Sequence, residues 1–424
     1  MNQDRMNDTI TSLVPLEKIR DAIFVLKDII RKTPLEINKN LSDKYGSNIM
    51  LKREDLQVVR SFKIRGAYYK IASLTSEEVE KGVVCASAGN HAQGVAMACA
   101  KLGIKGTIFM PTTTPKQKID RVNHFGAGKV EIRLIGDTFD DSNETATSFA
   151  EEHGMPFIHP FDDLDVIAGQ GTIAIEILED SRVPIDYLVV SVGGAGLIAG
   201  LASYFKILSP NTKIVAVEAA GAPSLSQALQ HGKVVHLDSI DGFADGIATK
   251  SVGKLPFEIC KQTVDHAIEV PEGKMCATLL SLYNDDAIVV EPACASTISA
   301  LDDLKEDIKG KNVVCVLSGG NNDITRMEEI KERALLYEGK KHYFIIRFPQ
   351  RAGALKEFLN LLGPDDDISR FEYTKKTNRN SGPALIGIEF KNPDDFNPLV
   401  GRLKEANIDF RHLNRSPLLF EMLV

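Results

Sequence analysis

The chain reads as an α/β protein built on a parallel sheet, followed by a smaller α+β domain of ferredoxin-like order. Three observations predict this. At 424 residues the chain is too long for one compact core. From about residue 33 to 333, short runs rich in valine and isoleucine alternate with alanine-rich helical stretches. Runs apolar on both faces are the mark of parallel strands covered by helices. Beyond that region the rhythm changes to β-α-β-β-α-β.

The first element is a helix over Leu16 to Arg31, because Ile19, Ile23, Leu26 and Ile30 share one face and Thr33-Pro34 ends it. The clearest strands are Gly82 to Ala86, Thr107 to Met110, Tyr187 to Val192, Lys213 to Glu218 and Val313 to Leu317. His91 to Leu102 and Leu197 to Leu208 are helices between them. A charged helical stretch, Arg326 to Lys341, closes the region. Residues 342–349 then read as a strand, 352–362 as a helix, and 367–376 and 383–390 as strands. Asn397 to Ala406 is a helix and 408–413 a final strand. The domain boundaries follow as 1–333, a linker at 334–341, and 342–424.

Composition narrows the class. With 50 Lys and Arg against 58 Asp and Glu, the net charge of -8 leaves no basic excess for a nucleic-acid partner. The six cysteines (Cys85, Cys99, Cys260, Cys276, Cys294, Cys315) form no CxxC pair and sit in apolar stretches, as reduced buried thiols do. The N-terminal stretch lacks an apolar signal core, and no run reaches the roughly 18 apolar residues of a membrane span. A cytoplasmic protein is expected, with no membrane partner. No metal is expected either, since the acidic residues are scattered.

Four segments are candidates for chemistry. In Ser61-Phe62-Lys63-Ile64-Arg65-Gly66-Ala67, a lysine sits among apolar neighbours. Apolar surroundings lower an amine's pKa and suit it to Schiff-base formation, although a lysine pointing to water fits the same segment. Ala86 to Gly94 follows a strand and opens a helix, where exposed amides suit a carboxylate or phosphate. Within it, Asn90 donates and accepts, and His91 is either a group able to titrate near neutrality or a helix-start residue that makes only structural hydrogen bonds. Val192-Gly193-Gly194-Ala195-Gly196-Leu197 is a second strand-to-helix loop, free of Lys and Arg, so its amides would do the binding. It also matches a dinucleotide fingerprint, Gly194-x-Gly196-x-x-Ala199, with Glu218 ending the next strand. Ser318-Gly319-Gly320-Asn321 follows a strand directly, either as an ordinary turn or as a hydroxyl for a ring nitrogen or phosphate. The combination favours pyridoxal 5′-phosphate (PLP) over a dinucleotide. That cofactor needs an amine, a phosphate cradle and a group at its pyridine nitrogen, and the three segments supply them.

In this order and spacing, SFKIRGA, ASAGNHAQGVA, VGGAGL, FADGIA (Phe243 to Ala248) and SGGN resemble the threonine dehydratase family over roughly residues 15–330. The resemblance implies the tryptophan-synthase β-like PLP fold (fold type II), with a smaller lobe of about 54–155 inserted in a larger one. The C-terminal segment resembles the ACT-like regulatory domain of the short biosynthetic form. The implied activity is α,β-elimination, turning L-threonine into 2-oxobutanoate and ammonia, the first committed step of isoleucine biosynthesis. Implied with it are feedback by isoleucine or valine and a homotetramer.

The family's roles carry over to matching positions. Lys63 is the cofactor-bearing lysine and Asn90 the partner of the cofactor's 3′-oxygen. Gly193, Gly194, Ala195, Gly196 and Leu197 form the phosphate loop, and Ser318 meets the pyridine nitrogen. Ser87, Ala88, Gly89, Asn90 and His91 bind the substrate carboxylate. In the second domain, Arg351, Gly353, Ala354 and Leu355 lie in the loop expected to take an amino-acid effector. One departure is Ala195, where the family has a third glycine; a positive φ there costs about 1 kcal/mol or more. The same motifs suit a serine dehydratase or racemase, since one methyl discriminates by only about 1–3 kcal/mol. A catalytically inactive amino-acid sensor is the alternative of a different class, and an intact Lys63 with all its partner motifs stands against it.

Overall fold

The computed structural model describes residues 13–373, 380–416, 419–420 and 422. By internal contacts the chain divides into one unit up to Asn322 and a second from Asp323.

The first unit holds strands β1 (Leu35–Ile37), β2 (Asn48–Arg53), β3 (Val83–Ala86), β4 (Gly106–Met110), β5 (Val130–Leu134), β6 (Tyr187–Ser191), β7 (Lys213–Ala219), β8 (His266–Val270) and β9 (Asn312–Leu317). They form a large sheet of order β1-β2-β9-β6-β7-β8 and a small one of order β3-β4-β5. Both are parallel apart from β1, which runs antiparallel to β2. The centres of β6 and β9 are wholly buried, which is why valine and isoleucine fill both faces. The late strand β9 lies between β2 and β6, so the carboxyl ends of β6 and β9 are neighbours. In open α/β sheets such a reversal of strand order leaves a crevice that takes ligands.

Six helices of this unit frame that crevice or brace it: α1 (Leu16–Leu26), α2 (Lys63–Ala72), α3 (Asn90–Leu102), α4 (Leu164–Asp180), α5 (Gly196–Leu208) and α6 (Pro292–Ser299). Helix α1 stops at Leu26, short of the Arg31 that the periodicity predicts. The cause is local: the Gln57 side chain takes the backbone N–H of Arg31 (3.1 Å) and donates to its carbonyl (2.6 Å), so helical bonding is replaced there. Helix α4 packs against α2 and α5 at backbone distance. A Cβ on Gly169 would stand 2.6 Å from the Gly66 Cα, and one on Gly200 would stand 2.4 Å from the Ile167 carbonyl. Glycine is required at both crossings.

A buried ion cluster ties α2 to the large sheet. The Arg65 guanidinium donates to Glu54 (2.7 and 2.8 Å) and to Glu176 (2.6 and 2.9 Å), and Lys52 donates to Glu176 (2.6 Å). Arg65, Lys52 and Glu54 are fully buried and Glu176 nearly so, so two cations balance two anions out of water.

The second unit contains helix α7 (Met327–Tyr337), β10 (Lys341–Pro349), α8 (Ala354–Leu359), β11 (Asp367–Tyr373), β12 (Ser381–Glu389), α9 (Phe396–Glu405) and β13 (Asp409–His412). Its sheet is antiparallel, of order β11-β12-β10-β13, the ferredoxin-like arrangement. Phe344, Ile346, Phe358, Ile386, Ile388, Leu399 and Leu403 form its core. Residues 374–376 of the strand expected at 367–376 lie outside the described residues. Helix α7 joins this unit through Glu332, which accepts the Tyr343 hydroxyl (2.6 Å) and pairs with Lys341 (2.5 Å).

Candidate active site

Lys63 is the first residue of α2 and is partly buried. Its Nζ donates to the Pro160 carbonyl at 2.9 Å and lies 5.3 Å from the Phe62 ring centre. Burial draws the amine down to about 8, and the Glu291 carboxylate opposes that shift. Helix α3 lies against it, for a Cβ on Gly94 would be 3.1 Å from the Lys63 carbonyl. The lysine therefore belongs to an interior site and not to a solvated helix face.

Two sets of backbone amides converge on this region from strand ends. After β6, the amides of Gly193, Gly194, Ala195, Gly196 and Leu197 donate to no protein acceptor among the described residues. They stand at the N-terminus of α5, where the helix dipole favours an anion. Ala195 has φ 68°, the left-handed value that costs a residue with a Cβ about 1–2 kcal/mol. After β3, the Ser87 amide bonds the Phe109 carbonyl (3.1 Å) and the Gly89 amide bonds the Ser87 hydroxyl (3.2 Å). The amides of Ala88, Asn90 and His91 are left without a protein acceptor among the described residues, at the start of α3.

Of the two readings of His91, the structure takes the structural one. Its Nε2 bonds the Ile158 carbonyl at 2.8 Å, and burial, with the Lys63 charge adding to it, lowers it to about 3. It is a neutral imidazole across the physiological range, with its buried Nδ1 unpartnered. It does not titrate near neutrality.

Asn90 sits in a chain of side chains. Its Nδ2 donates to both oxygens of Glu291 (2.9 and 3.0 Å), and its Oδ1 accepts from Asn321 Nδ2 (2.7 Å). Ser318 is buried at the end of β9, and its carbonyl accepts from the Phe62 amide (3.2 Å). Ser61 bridges to Gly319 beside it, so the Ser318 turn is stitched to the Lys63 segment.

The dinucleotide reading fails on Glu218. That carboxylate is fully buried and accepts from the amides of Leu225 (2.6 Å) and Ser226 (2.8 Å) and from the Ser226 hydroxyl (2.8 Å). It caps the next helix and has no path to a ribose. Among the described residues no group of three or more His, Cys, Asp or Glu side chains is arranged to hold a metal ion.

Sequence reasoning misses three contributors. Glu291 belongs to none of the four segments, and Asn321 reads only as the end of a glycine turn. The segment His159–Phe161 carries no motif. In the structure His159 Nδ1 accepts from the Asp162 amide (2.8 Å), Pro160 receives Lys63, and Phe161 packs on the glycine loop. An acid at the end of an apolar run, as in Val289-Val290-Glu291-Pro292, is the signal that the sequence offers for Glu291.

The residues present fit PLP. A partly buried amine of lowered basicity stands with a cradle of five free amides and a buried hydroxyl at a neighbouring strand end.

In the second unit, Arg351 is exposed and its guanidinium grips Glu357 through two bonds of 2.7 Å. Gly353 has φ 88° before the short helix α8, Ala354 is buried and Leu355 is exposed.

Comparison with known proteins agrees with the geometry. A family described as pyridoxal-phosphate dependent enzyme matches residues 26–319, and the C-terminal regulatory domain of threonine dehydratase matches 332–423. The chain is 57% identical to a biosynthetic L-threonine dehydratase of Halalkalibacterium halodurans, covering 97% of this chain and 99% of that one. It is 55% identical to the Bacillus subtilis protein of the same name, covering 97% and 98%. The processed form of threonine deaminase isoform 2 from Solanum lycopersicum superposes with a TM-score of 0.73 at 39% identity, over 79% of this chain and 90% of that one. The chain belongs to the pyridoxal-phosphate-dependent enzymes, in the branch that carries the C-terminal regulatory domain of threonine dehydratase.

Proposed function

We propose that this chain converts L-threonine to 2-oxobutanoate and ammonia, with PLP held on Lys63, and that its second unit adjusts the rate to the supply of isoleucine. The observation that carries the reading is the Lys63 amine, lowered to about 8, in a site that also presents two unpartnered amide cradles.

When bound, PLP supplies an aldehyde for the lysine and an electron sink for charge at the substrate Cα. Lys63 would hold it, and the Lys63 amine would take the proton from the substrate Cα. An amine near 8 has a usable unprotonated fraction at neutral pH, which an ordinary lysine lacks. The amides of Gly193, Gly194, Ala195, Gly196 and Leu197 bind the phosphate at the positive end of α5. The loop Ser87, Ala88, Gly89, Asn90 and His91 receives the substrate carboxylate through its free amides. His91 braces that loop by donating to Ile158. Asn90 and Ser318 would hold the ring, Asn90 through an amide N–H at the 3′-oxygen and Ser318 through its hydroxyl at the ring nitrogen.

The second unit, within its ferredoxin-like domain at 342–424, binds isoleucine or valine at the loop Arg351, Gly353, Ala354 and Leu355. Glu357 occupies Arg351 and has to release it before a ligand carboxylate can bind. The proposal includes a homotetramer, read by light scattering, and a cytoplasmic location. Among the described residues no helix is long and apolar enough to cross a membrane.

The test is turnover of the purified protein on threonine and on serine, with detection of the 2-oxo acid. A higher kcat/KM for threonine is expected. A preference for serine contradicts the substrate assignment. Titration with isoleucine and valine, on the full chain and on Arg351→Ala, tests the regulation. Inhibition that the variant weakens is expected, and no response in the full chain removes the feedback claim.

A further inference from the structure

Glu291 stands just before α6 and is nearly buried, at 6% exposure. Its backbone N–H donates to the Gly319 carbonyl (3.2 Å), which sets it against the turn that follows Ser318. Both carboxylate oxygens take the Asn90 Nδ2, at 2.9 and 3.0 Å. On the other side of the Asn90 amide, Asn321 Nδ2 donates to the Asn90 oxygen (2.7 Å) and to the Val59 carbonyl (2.9 Å). A carboxylate only accepts and an amide NH₂ only donates. The two contacts therefore fix the same orientation of Asn90, with its N–H groups on the Glu291 side.

The surroundings leave room for this carboxylate and little else. A Cβ on Gly319 would stand 2.5 Å from Glu291 Oε1, and one on Gly246 would stand 3.2 Å from it. Gly319 belongs to the turn after β9 and Gly246 to the Phe243–Ala248 segment, so two separate loops are shaped around one side chain.

Resting on the proposed function, we propose that Glu291 is a positioning residue of the site. It fixes which end of the Asn90 amide carries the N–H groups, taking one N–H itself and leaving the other for the cofactor's 3′-oxygen, and it sets a carboxylate in the same site as the Lys63 amine. Burial, reinforced by Asp245, raises Glu291 to about 7, while Asn90, Lys118 and Lys63 oppose this. Lys118 is itself paired with Asp245 at 2.6 Å. Glu291 in turn favours the ammonium form of Lys63. Asn90 is thus oriented by a carboxylate that also acts on the Lys63 amine.

The experiment uses the holoenzyme. Visible absorbance of the bound cofactor is recorded against pH for the wild type, Glu291→Gln and Glu291→Asp. Dissociation of the cofactor and melting temperature are measured alongside. Gln keeps the shape and removes the charge, so the midpoint of the absorbance change is expected to fall by about one pH unit, a tenfold loss of proton affinity. Asp keeps the charge but shortens the reach. It is expected to loosen the cofactor several-fold and leave the midpoint near that of the wild type. A Glu291→Gln titration that superimposes on the wild type overturns the proposal. So does a variant that lowers the melting temperature while the midpoint stays in place, because that is a structural role alone. If Glu291→Gln does not fold, the aspartate variant decides: a midpoint moved as far as one unit overturns the charge effect. A wild-type protein without cofactor absorbance defeats the proposed function itself, and this inference with it.

Discussion

The ring of Phe161 packs on Gly194 so closely that a Cβ there would stand 2.2 Å from it. The glycine is demanded by this contact and not by a positive φ, since Gly194 is absent from the left-handed residues. The contact joins the glycine loop to the segment whose Pro160 carbonyl accepts from Lys63. Gly194→Ala forces the ring or the loop to shift, at about 1–3 kcal/mol. Cofactor affinity of the apo protein, measured by titration, is expected to fall at least tenfold. An unchanged affinity contradicts the fit between loop and ring.

Ala195 makes the opposite prediction. At φ 68° its Cβ is strained, and glycine relieves that strain while giving up some chain entropy. Ala195→Gly is expected to raise stability by about 0.5–1 kcal/mol, read by thermal or denaturant unfolding. A lower stability shows that the loop tolerates the Cβ at no cost.

The ion cluster around Arg65 is next. Arg65→Met leaves Glu54 and Glu176 buried against Lys52 alone. Breaking a buried pair in this way costs about 3–5 kcal/mol. Because Lys63 begins the same helix, cofactor absorbance should fall together with stability in a denaturant titration.

A histidine pair makes the second unit sensitive to acid. His342 Nε2 donates to the Gly339 carbonyl (3.0 Å), so its Nδ1 accepts from His412 Nε2 at 2.9 Å. Burial, with His342 and Arg415 adding to it, lowers His412 from 6.5 to about 4. The unfolded chain takes the proton first, so this unit keeps its full stability above about 6.5 and loses it as pH falls towards 4. Hydrogen exchange of the β10 amides across that range is the measurement. Protection that stays constant down to pH 4 contradicts the pairing.

In the proposed function, Ser318 would set reaction choice. A hydroxyl is too weak an acid to keep a pyridine nitrogen protonated, whereas a carboxylate does so. Ser318→Asp is expected to raise transamination relative to elimination, and product analysis reads the ratio. Unchanged partitioning removes this role.

Local signals make much of this molecule legible. Val313–Leu317 and Tyr187–Ser191 are apolar on both faces because both faces are buried. Four strands are not legible in this way. β1, β5 and β8 lie at sheet edges and are largely exposed, and β1 is only three residues long, so they lack a run buried on both faces. β2 carries Lys52 into the buried ion cluster, a pairing that only the folded chain makes. The site divides in the same way. Lys63 and the glycine loops are visible because a strand-to-helix junction is written in adjacent residues. Glu291 and Asn321 act through Asn90, at separations of 201 and 231 residues, and no local pattern records such contacts. The two readings of His91 stay open in the sequence because its neighbours do not reveal the burial that keeps it neutral.

The central claim is that Lys63 carries the chemistry. It is tested most directly by Lys63→Ala, compared with the wild type for visible cofactor absorbance and for 2-oxobutanoate released from threonine. The wild type should show both, and the variant should lose both while keeping its fold by circular dichroism. Turnover of threonine retained by the variant contradicts the account.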